Sequence, residues 1–306
     1  MTDEEFDKLR PTAFAIAYRM LGSVSEAEDV LQEAFVRLHR VRERGGRIES
    51  PRAYLSTVVS RLSLDHLRSA RVRRETYVGE WLPEPLLASA ADDPAGKAEM
   101  ADSLSLAFLV LLESLSPEQR AAFLLRDVFD EPYDRIGEIV GTSEQNARQL
   151  VARARRHVAA RRPRFEASPQ KREELATRFF AAAEKGDLEA LEQLLAHDVV
   201  LRGDGGGKAP AVARAVHGRT RVAGMLIAGL RNATRTGDLT WRRQDVNGHP
   251  GALFLDADGK VAGVVILEMA DGQIQTVSAV VNPDKLRHLG PVADLRALLR
   301  HRSPTP

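Results

Sequence analysis

The spacing of apolar residues predicts two kinds of structure, helical in the first half of the chain and mixed in the last third. Apolar side chains recur every three or four residues in two segments, which predicts the amphipathic helices Glu26–Val41 and Pro51–Arg74. After residue 171 the pattern predicts further helices and then short strands, namely Arg172–Lys185, Leu188–Ala196, Asp198–Arg202, Leu239–Val246, Gly251–Asp256, Lys260–Met269 and Gln273–Val280. Asp258-Gly259 and Asp271-Gly272 supply the turns between the last three strands. Helices followed by an antiparallel meander predict an α+β domain.

Residues 116–164 carry the start and stop signals of three helices around a tight turn. Ser116-Pro117-Glu118-Gln119 has the pattern of a capping box with Pro at the first helical position. A second helix is predicted over Pro132–Val140 and ends at Gly141. Thr142 is expected to cap the third helix, because Gln145 follows three residues later.

The third of these helices has one apolar and one polar face. The residues predicted to pack inward are Ala147, Leu150, Val151, Ala154 and Val158. The opposite face carries Asn146, Arg148, Gln149, Arg153, Arg155 and Arg156. Asn, Gln and Arg make bidentate contacts to base edges, and the first turns of such a helix enter the major groove. The pattern predicts a helix-turn-helix DNA reader, and a solvated basic face is the alternative interpretation.

Composition and charge narrow the class of protein. The 306 residues include 44 basic and 43 acidic ones, for a net charge of +1, but arginines cluster at Arg61–Arg74 and Arg148–Arg164. Such clusters form an electrostatic footprint for nucleic acid. No cysteine is present, which excludes disulfides and thiolate sites, and we expect no metal and no cofactor. The polar N-terminus and the lack of an apolar run of about 20 residues predict a cytoplasmic protein that does not bind membranes.

Clusters of glycine and proline divide the chain into predicted domains. A helical domain is expected at 1–76 and the helix-turn-helix domain at 99–164, with a flexible linker at 77–98 between them. The α+β domain follows at 170–290, and 291–306 form a C-terminal tail. A chain of this length fits two or three domains.

Several motifs carry a resemblance to a known family. Glu26–Arg37, with the sequence EAEDVLQEAFVR, resembles the helix of sigma factors that binds core RNA polymerase, and residues 51–68 resemble their promoter-melting helix. Ser116–Arg156 is similar to their second DNA-binding domain. With only two such domains, the chain resembles an extracytoplasmic-function (ECF) RNA polymerase sigma factor. Three further motifs are similar to the subgroup with a fused SnoaL-like domain, namely Trp81–Pro85, Asp204–Lys208 and Asn282–Leu286.

The resemblance implies two all-α sigma domains, the second a helix-turn-helix, followed by a cone-shaped α+β SnoaL-like domain. It implies binding to core polymerase and to the −10 and −35 promoter elements. The core-binding residues would be Asp29, Gln32, Glu33 and Arg37. The residues on the −10 side would be Arg52, Arg61, Asp65, Arg68 and Arg71, beside the Gly-Gly loop Glu43–Ser50. Those on the −35 side would be Ser143, Glu144, Asn146, Arg148, Gln149, Arg153 and Arg156.

The resemblance also implies that the C-terminal domain regulates the sigma domains in cis. The residues expected to take part are Trp81, Pro83, Pro85, Asp204, Gly205, Gly206, Gly207, Lys208, Asn282, Pro283, Asp284, Lys285 and Leu286. Trp81 is a large apolar side chain in a Pro-rich linker, and three consecutive glycines offer a backbone that it could approach closely. The alternatives are that the glycine run is a flexible turn and that Trp81 covers its own helices.

Two other functions remain open at this point. A SnoaL-like cyclase or isomerase fused to a regulator could use the acid–base groups His197, Asp198, Asp204, His217 and Asp245, but their spacing specifies no catalytic set. A ligand-responsive helix-turn-helix repressor would not need the Asp29–Arg37 helix. We therefore expect a transcription initiation factor without enzymatic activity. Its expected partners are core polymerase and promoter DNA, with an unidentified small molecule in the C-terminal domain as a further candidate.

Overall fold

The computed structural model describes residues 3–46, 48–87, 104–160, 168–234 and 239–300; within these ranges the side chains of 3–7, 70–75, 230–234 and 300 are not described. The chain divides into two compact units. Unit 1 contains Met1–Thr76 and Leu109–Arg162, and unit 2 contains Tyr77–Phe108 and Pro163–Pro306. In the part of the chain that the structure describes, none of the helices combines the length and the apolar character that crossing a bilayer requires.

Unit 1 is all-α. Its helices are α1 (Asp3–Leu21), α2 (Val24–Glu43), α3 (Pro51–Glu75), the last residues of α4 (Leu106–Leu112), α5 (Pro117–Asp127), α6 (Tyr133–Val140) and α7 (Glu144–Ala159). The two amphipathic helices predicted first, Glu26–Val41 and Pro51–Arg74, are confirmed as α2 and α3, each slightly longer. Their apolar faces pack around side chains that are shielded from solvent, including Tyr18, Leu31, Val59 and Leu124.

The caps of the helix-turn-helix differ from the prediction at two positions. The capping box at Ser116 and Gln119 is confirmed, with both of its hydrogen bonds present. Pro132 is the N-cap of α6 and not its first residue. Ser143, and not Thr142, caps α7, because the Thr142 amide donates to the Gly137 carbonyl and so belongs to the end of α6. The Ser143 Oγ then accepts from the backbone amide three residues later, at 3.2 Å.

Unit 2 is an α+β structure around one mixed sheet. Its elements are α8 (Pro169–Lys185), α9 (Leu188–Leu194), β1 (Leu195–Asp204), β2 (Val216–His217), α10 (Arg219–Thr234), β3 (Leu239–Val246), β4 (His249–Asp256), β5 (Val261–Ala270), β6 (Gln273–Val280), 3₁₀ turns at Pro283–Lys285 and Arg287–Leu289, and α11 (Leu295–Arg300). The six strands have the order β2-β1-β6-β5-β4-β3. Only β1 and β6 pair in parallel, and the other neighbours are antiparallel.

The predicted strands are confirmed with shifted ends, and several elements were not predicted, among them β2, α10 and, in the predicted tail, α11. The strand predicted at Asp198–Arg202 extends over all of β1, so α9 ends at Leu194 and not at Ala196. β2 is too short to produce an alternating pattern. The glycines of α10 interrupt its apolar repeat, so only tertiary packing reveals that helix. α8, α9 and α10 pack on the sheet around a core that includes Phe179, Leu191, Leu201, Val222 and Val277.

The beginning of the predicted flexible linker is packed in unit 2. Leu82, Pro83, Glu84 and Pro85 are buried, and Leu87 forms an antiparallel β-bridge with Val246. The prediction of flexibility is therefore wrong for residues 77–87. Prolines mark an irregular chain in sequence, but they do not distinguish a free linker from one that lies on another domain.

Candidate functional site

The residues predicted to bind core polymerase share one exposed face of α2. Asp29, Gln32, Glu33 and Arg37 all face solvent, while the apolar side of the helix is buried. Glu33 pairs with Arg37 one turn later, at 2.9 Å. Val36 lies among them and is 42% exposed, an apolar residue that the sequence prediction missed. The exposed face of α2 therefore combines charged, polar and apolar side chains.

The residues predicted on the −10 side lie along α3, and two of them contact α6 and α5. Arg61 donates to the Glu138 carbonyl at 2.9 Å. Arg68 donates to a Glu118 carboxylate oxygen at 3.1 Å and also pairs with Asp65. Arg52 is exposed, and the side chain of Arg71 lies outside the described residues.

Further contacts join α3 to α6 and to the residue just before its cap, within unit 1. Arg135 donates to the Thr57 hydroxyl at 2.7 Å and to the Ala53 carbonyl. The Ser56 hydroxyl donates to Glu131 at 2.8 Å. The predicted −10 surface is therefore partly engaged with the chain's own helices in this structure.

The predicted −35 surface is the exposed face of α7. Asn146, Gln149, Arg153 and Arg156 are exposed. Arg148 pairs with Glu144 one turn earlier, and its guanidinium lies 4.4 Å from the centre of the Tyr133 ring. The Ser143 hydroxyl acts as the helix cap, so its main contact is structural.

A buried polar cluster in unit 2 joins the linker to the SnoaL-like motifs. We call Tyr77, Leu82, Asp204, Asn282 and Lys285 the linker anchor. Asp204 is fully buried and accepts the Tyr77 hydroxyl at 2.5 Å, the Leu82 amide at 2.8 Å and the Lys285 ammonium at 2.6 Å. Asn282 donates to the Tyr77 oxygen at 2.8 Å. One carboxylate therefore holds two groups of the linker at once.

Lys285 completes the anchor from the motif after the last strand. Its ammonium also donates to the Leu82 carbonyl and lies 4.1 Å from the centre of the Trp81 ring. Burial raises the pKa of Tyr77 far above its usual value, and the hydrogen bond to the Asp204 carboxylate adds to that rise. The tyrosine therefore remains a hydrogen-bond donor at every physiological pH.

The glycine run allows close packing against Asn282 and against the linker residue Val78. A Cβ at Gly206 would meet the Asn282 side chain at 2.2 Å, and one at Gly207 would meet Val78 at 3.2 Å. Lys208 forms an exposed ion pair with Asp284. The other residues predicted for regulation also lie in unit 2. Gly205 is buried beside the Ala209 carbonyl, and Pro283 begins a 3₁₀ turn. Pro83, Pro85 and Leu286 are buried.

The acid–base groups considered for catalysis do not form a site. His197, Asp198, His217 and Asp245 are exposed, while Asp204 belongs to the linker anchor. No group of three or more His, Cys, Asp and Glu side chains that could hold a metal occurs among the described residues.

Comparison with known proteins decides the family. Family models match sigma-70 region 2 at residues 6–73, sigma-70 region 4 at residues 105–158 and a SnoaL-like domain at residues 176–277. The chain is 40% identical to ECF RNA polymerase sigma factor SigJ of Mycobacterium tuberculosis, over 93% of each chain. It is 32% identical to the probable ECF sigma factor SigI of the same organism, over 89% of this chain and 90% of SigI. The chain belongs to the ECF RNA polymerase sigma factors.

A solved structure supports the same assignment for the fold. The crystal structure of M. tuberculosis SigJ matches with a TM-score of 0.76 and 37% identity, and covers 94% of this chain and 98% of that one. The predicted fold class of two helical sigma domains followed by an α+β SnoaL-like domain is therefore confirmed. As an ECF sigma factor, the protein is a transcription initiation factor and not an enzyme, and it binds core RNA polymerase and promoter DNA.

Asn247 and Glu268, which contact the chain before and at the start of region 4, were missed from sequence, as was Tyr77. Asn247 lies in the turn between β3 and β4 and bonds to Leu86 of the linker and to Leu104, which precedes region 4. Its Asn-Gly dipeptide is a strong hairpin signal that could have been noticed. Glu268 on β5 accepts the Ala107 amide at 2.6 Å. No local pattern marks Glu268, because an acidic residue in a strand is usually on the surface.

Proposed function

We propose that the SnoaL-like domain regulates this sigma factor in cis by holding the linker between regions 2 and 4. The observation that carries the proposal is the linker anchor, in which the buried Asp204 accepts hydrogen bonds from Tyr77 and Leu82 and pairs with Lys285. A linker held in this way cannot vary the separation of its ends freely. Affinity for two joined DNA elements depends on that separation.

The test is run-off transcription with core polymerase and full-length variants. Tyr77→Phe removes one hydrogen bond from the anchor, and Lys285→Met removes its cation while keeping an unbranched side chain. Each is expected to change transcription several-fold. Lys260→Ala is the matched control, since it removes a lysine of unit 2 from an exposed ion pair that lies outside the motifs. Transcription that is equal for wild type, both anchor variants and the control would contradict the proposal.

We further propose that the exposed face of α2, with Asp29, Gln32, Glu33 and Arg37, is the surface that docks on core polymerase. Its support is that these four residues share one exposed face of α2, opposite its buried side, together with the exposed Val36. The proposed docking partner lies in the cytoplasm, where the polymerase works. Reduced core binding by a charge-reversed α2 would support this assignment.

For DNA we propose that Arg52, Arg61, Asp65, Arg68 and Arg71 serve the −10 element and that the exposed face of α7 serves the −35 element. The −35 side then consists of Ser143, Glu144, Asn146, Arg148, Gln149, Arg153 and Arg156. Because Arg61 and Arg68 contact α6 and α5 within unit 1, DNA must compete with those contacts. Arg135→Ala, which removes bonds to α3, is expected to strengthen promoter binding; unchanged affinity would contradict this competition.

A second candidate function is small-molecule binding in unit 2. A cavity of about 500 Å³ lies between the sheet, α10 and α11, and its lining includes Leu201, Met225, Phe254, Val265 and Gly229. We propose an apolar ligand, because a pocket of this size with apolar walls is typical of small-molecule sites. Gly229→Phe should block saturable binding of a fluorescent hydrophobic probe, since a Cβ at Gly229 meets nothing within 4 Å. Equal probe binding by this variant and wild type would contradict the site.

A further inference from the structure

The turn between β3 and β4 has an unusual environment. Val246 pairs with His249, so the turn consists of Asn247 and Gly248 alone. Both residues have left-handed backbone angles, with φ of 52° and 75°. This geometry is typical of a two-residue hairpin, in which Asn is favoured at the first position. Such turns normally point into water, but Asn247 is only 2% exposed.

Asn247 is buried because Leu86 of the linker and Leu104, which precedes region 4, bond to it. Its side-chain Oδ1 accepts the Leu86 backbone N–H at 2.9 Å, and its backbone N–H donates to the Leu86 carbonyl at 2.8 Å. Its Nδ2 donates to the Leu104 carbonyl at 2.9 Å. The chain therefore leaves this side chain at Leu86 and returns to it at Leu104.

A second contact lies where the linker ends. The carboxylate of Glu268, which is 2% exposed, accepts the Ala107 amide at 2.6 Å. Ala107 is in the first turn of α4, where the Ser105 hydroxyl accepts the Phe108 amide. The segment that matches sigma-70 region 4 begins at residue 105. The SnoaL-like domain therefore fixes the chain at the first residues of region 4.

We propose that Asn247 and Glu268 form a clasp that holds Leu86 close to Leu104 and Ala107 and so shortens the tether between regions 2 and 4. This inference rests on the proposed cis regulation, and it assigns a task to residues outside the three sequence motifs. The linker anchor fixes where the tether enters the domain, and the clasp fixes where it leaves.

The change in tether length follows from bond lengths. The side-chain amide of Asn247 bonds to both the Leu86 nitrogen and the Leu104 oxygen, which places these two atoms within roughly 8 Å of each other. A flexible chain with the same residue separation has a mean span of roughly 24 Å. The difference between these two distances is about the length of half a turn of duplex DNA. Opening the clasp would therefore change which spacing between promoter elements the protein can bridge.

The alternative explanation is that Asn247 serves the turn alone. Asn247→Gly separates the two explanations, because glycine adopts the same backbone angles but removes the side-chain bonds to the linker. Asp271→Gly is the matched control. Asp271 has a φ of 53° in the equivalent two-residue turn between β5 and β6, and its side chain is exposed.

The experiment is run-off transcription by the full-length protein with core polymerase on a promoter that the holoenzyme selects in vitro. The spacer between the −10 and −35 elements is varied in single base pairs over about half a helical turn. Asn247→Gly should lower transcription at the optimal spacer roughly threefold, since effective concentration falls with tether length, and should broaden the profile. Asp271→Gly should keep the wild-type profile. A wild-type profile for Asn247→Gly would overturn the clasp.

A second pair of variants guards against a folding defect. Glu268→Ala removes the acceptor for the Ala107 amide and should broaden the profile, whereas Glu268→Gln keeps an acceptor and should not. Broadening by both variants, or by neither, would overturn the role of Glu268. An unchanged profile for Asn247→Gly with altered transcription for Lys285→Met would reject the clasp and keep the anchor. An altered profile for Asn247→Gly with wild-type transcription for Lys285→Met would reject regulation through the anchor and keep the clasp.

Discussion

Replacing Asp204 by Asn is expected to destabilise unit 2 by about 3–5 kcal/mol, because the change removes one partner of a buried ion pair. The side chains of Asp204 and Lys285 are 0% and 8% exposed, so water cannot solvate the lysine that is left behind. The amide also presents N–H groups where the carboxylate accepted hydrogen bonds from Tyr77 and Leu82. Each unsatisfied buried donor adds to the loss of stability.

Tryptophan fluorescence gives an assay that reports unit 2 alone. The chain contains two tryptophans, and both Trp81 and Trp241 belong to unit 2. Trp81 also lies against the Lys285 ammonium, at 4.1 Å from the ring centre, so its emission responds directly to the anchor. With a urea m-value of about 2 kcal/mol/M, the midpoint should fall by roughly 2 M in Asp204→Asn.

The control is the exposed ion pair in the same motifs. The side chains of Lys208 and Asp284 are 56% and 40% exposed, so Asp284→Asn should change the stability by less than about 1 kcal/mol. Replacing both buried charges, with Asp204→Leu and Lys285→Met, should recover part of the loss, because no unpaired charge remains. If Asp204→Asn lowered stability no more than Asp284→Asn, the argument from burial would be refuted.

Three further results are expected. Burial raises the pKa of Glu268 to about 7, so its contribution to stability is complete below pH 4.5 and is lost as the pH rises through 7. Between pH 4 and pH 8, wild-type unit 2 should therefore lose about 3 kcal/mol of stability that Glu268→Gln, which does not ionise, retains. Urea titration of both proteins at the two pH values measures this difference, and equal pH dependence would contradict it. Arg148→Ala should cost about 1–3 kcal/mol on the correct promoter and relax specificity, whereas Arg156→Ala should weaken all promoters alike in binding titrations. Charge reversal at Asp29 and Glu33 should weaken binding to core polymerase without unfolding the protein; unchanged affinity in a titration would reject the α2 surface.

Local patterns predicted the helices and strands well and their contacts poorly. The apolar repeat of α2 identified its buried face, because a helix on a protein surface must hide one side. The position of the α7 cap was wrong by one residue, since Thr142 serves the end of the preceding helix. That competition between two adjacent helix ends is visible only when both are folded.

The clasp could not be predicted from sequence because its partners are distant in the chain. Ala107 and Glu268 are 161 positions apart, and Leu104 and Asn247 are 143 apart. The Asn-Gly dipeptide predicts a hairpin turn, but nothing local shows that the linker covers that turn. Four of the five linker-anchor residues lie in the motifs quoted for the family, whereas Tyr77, which donates to Asp204, stands just outside them.

The polar character of these contacts sets the strength of the clasp. An apolar linker interface would lose the full hydrophobic stabilisation on release, whereas hydrogen-bonding groups exchange their partners for water. The three hydrogen bonds of Asn247 to Leu86 and Leu104 therefore contribute a net stabilisation of about 2–4 kcal/mol. A stabilisation of this size keeps the clasp closed in most molecules, so the wild-type protein holds the short tether and Asn247→Gly releases it.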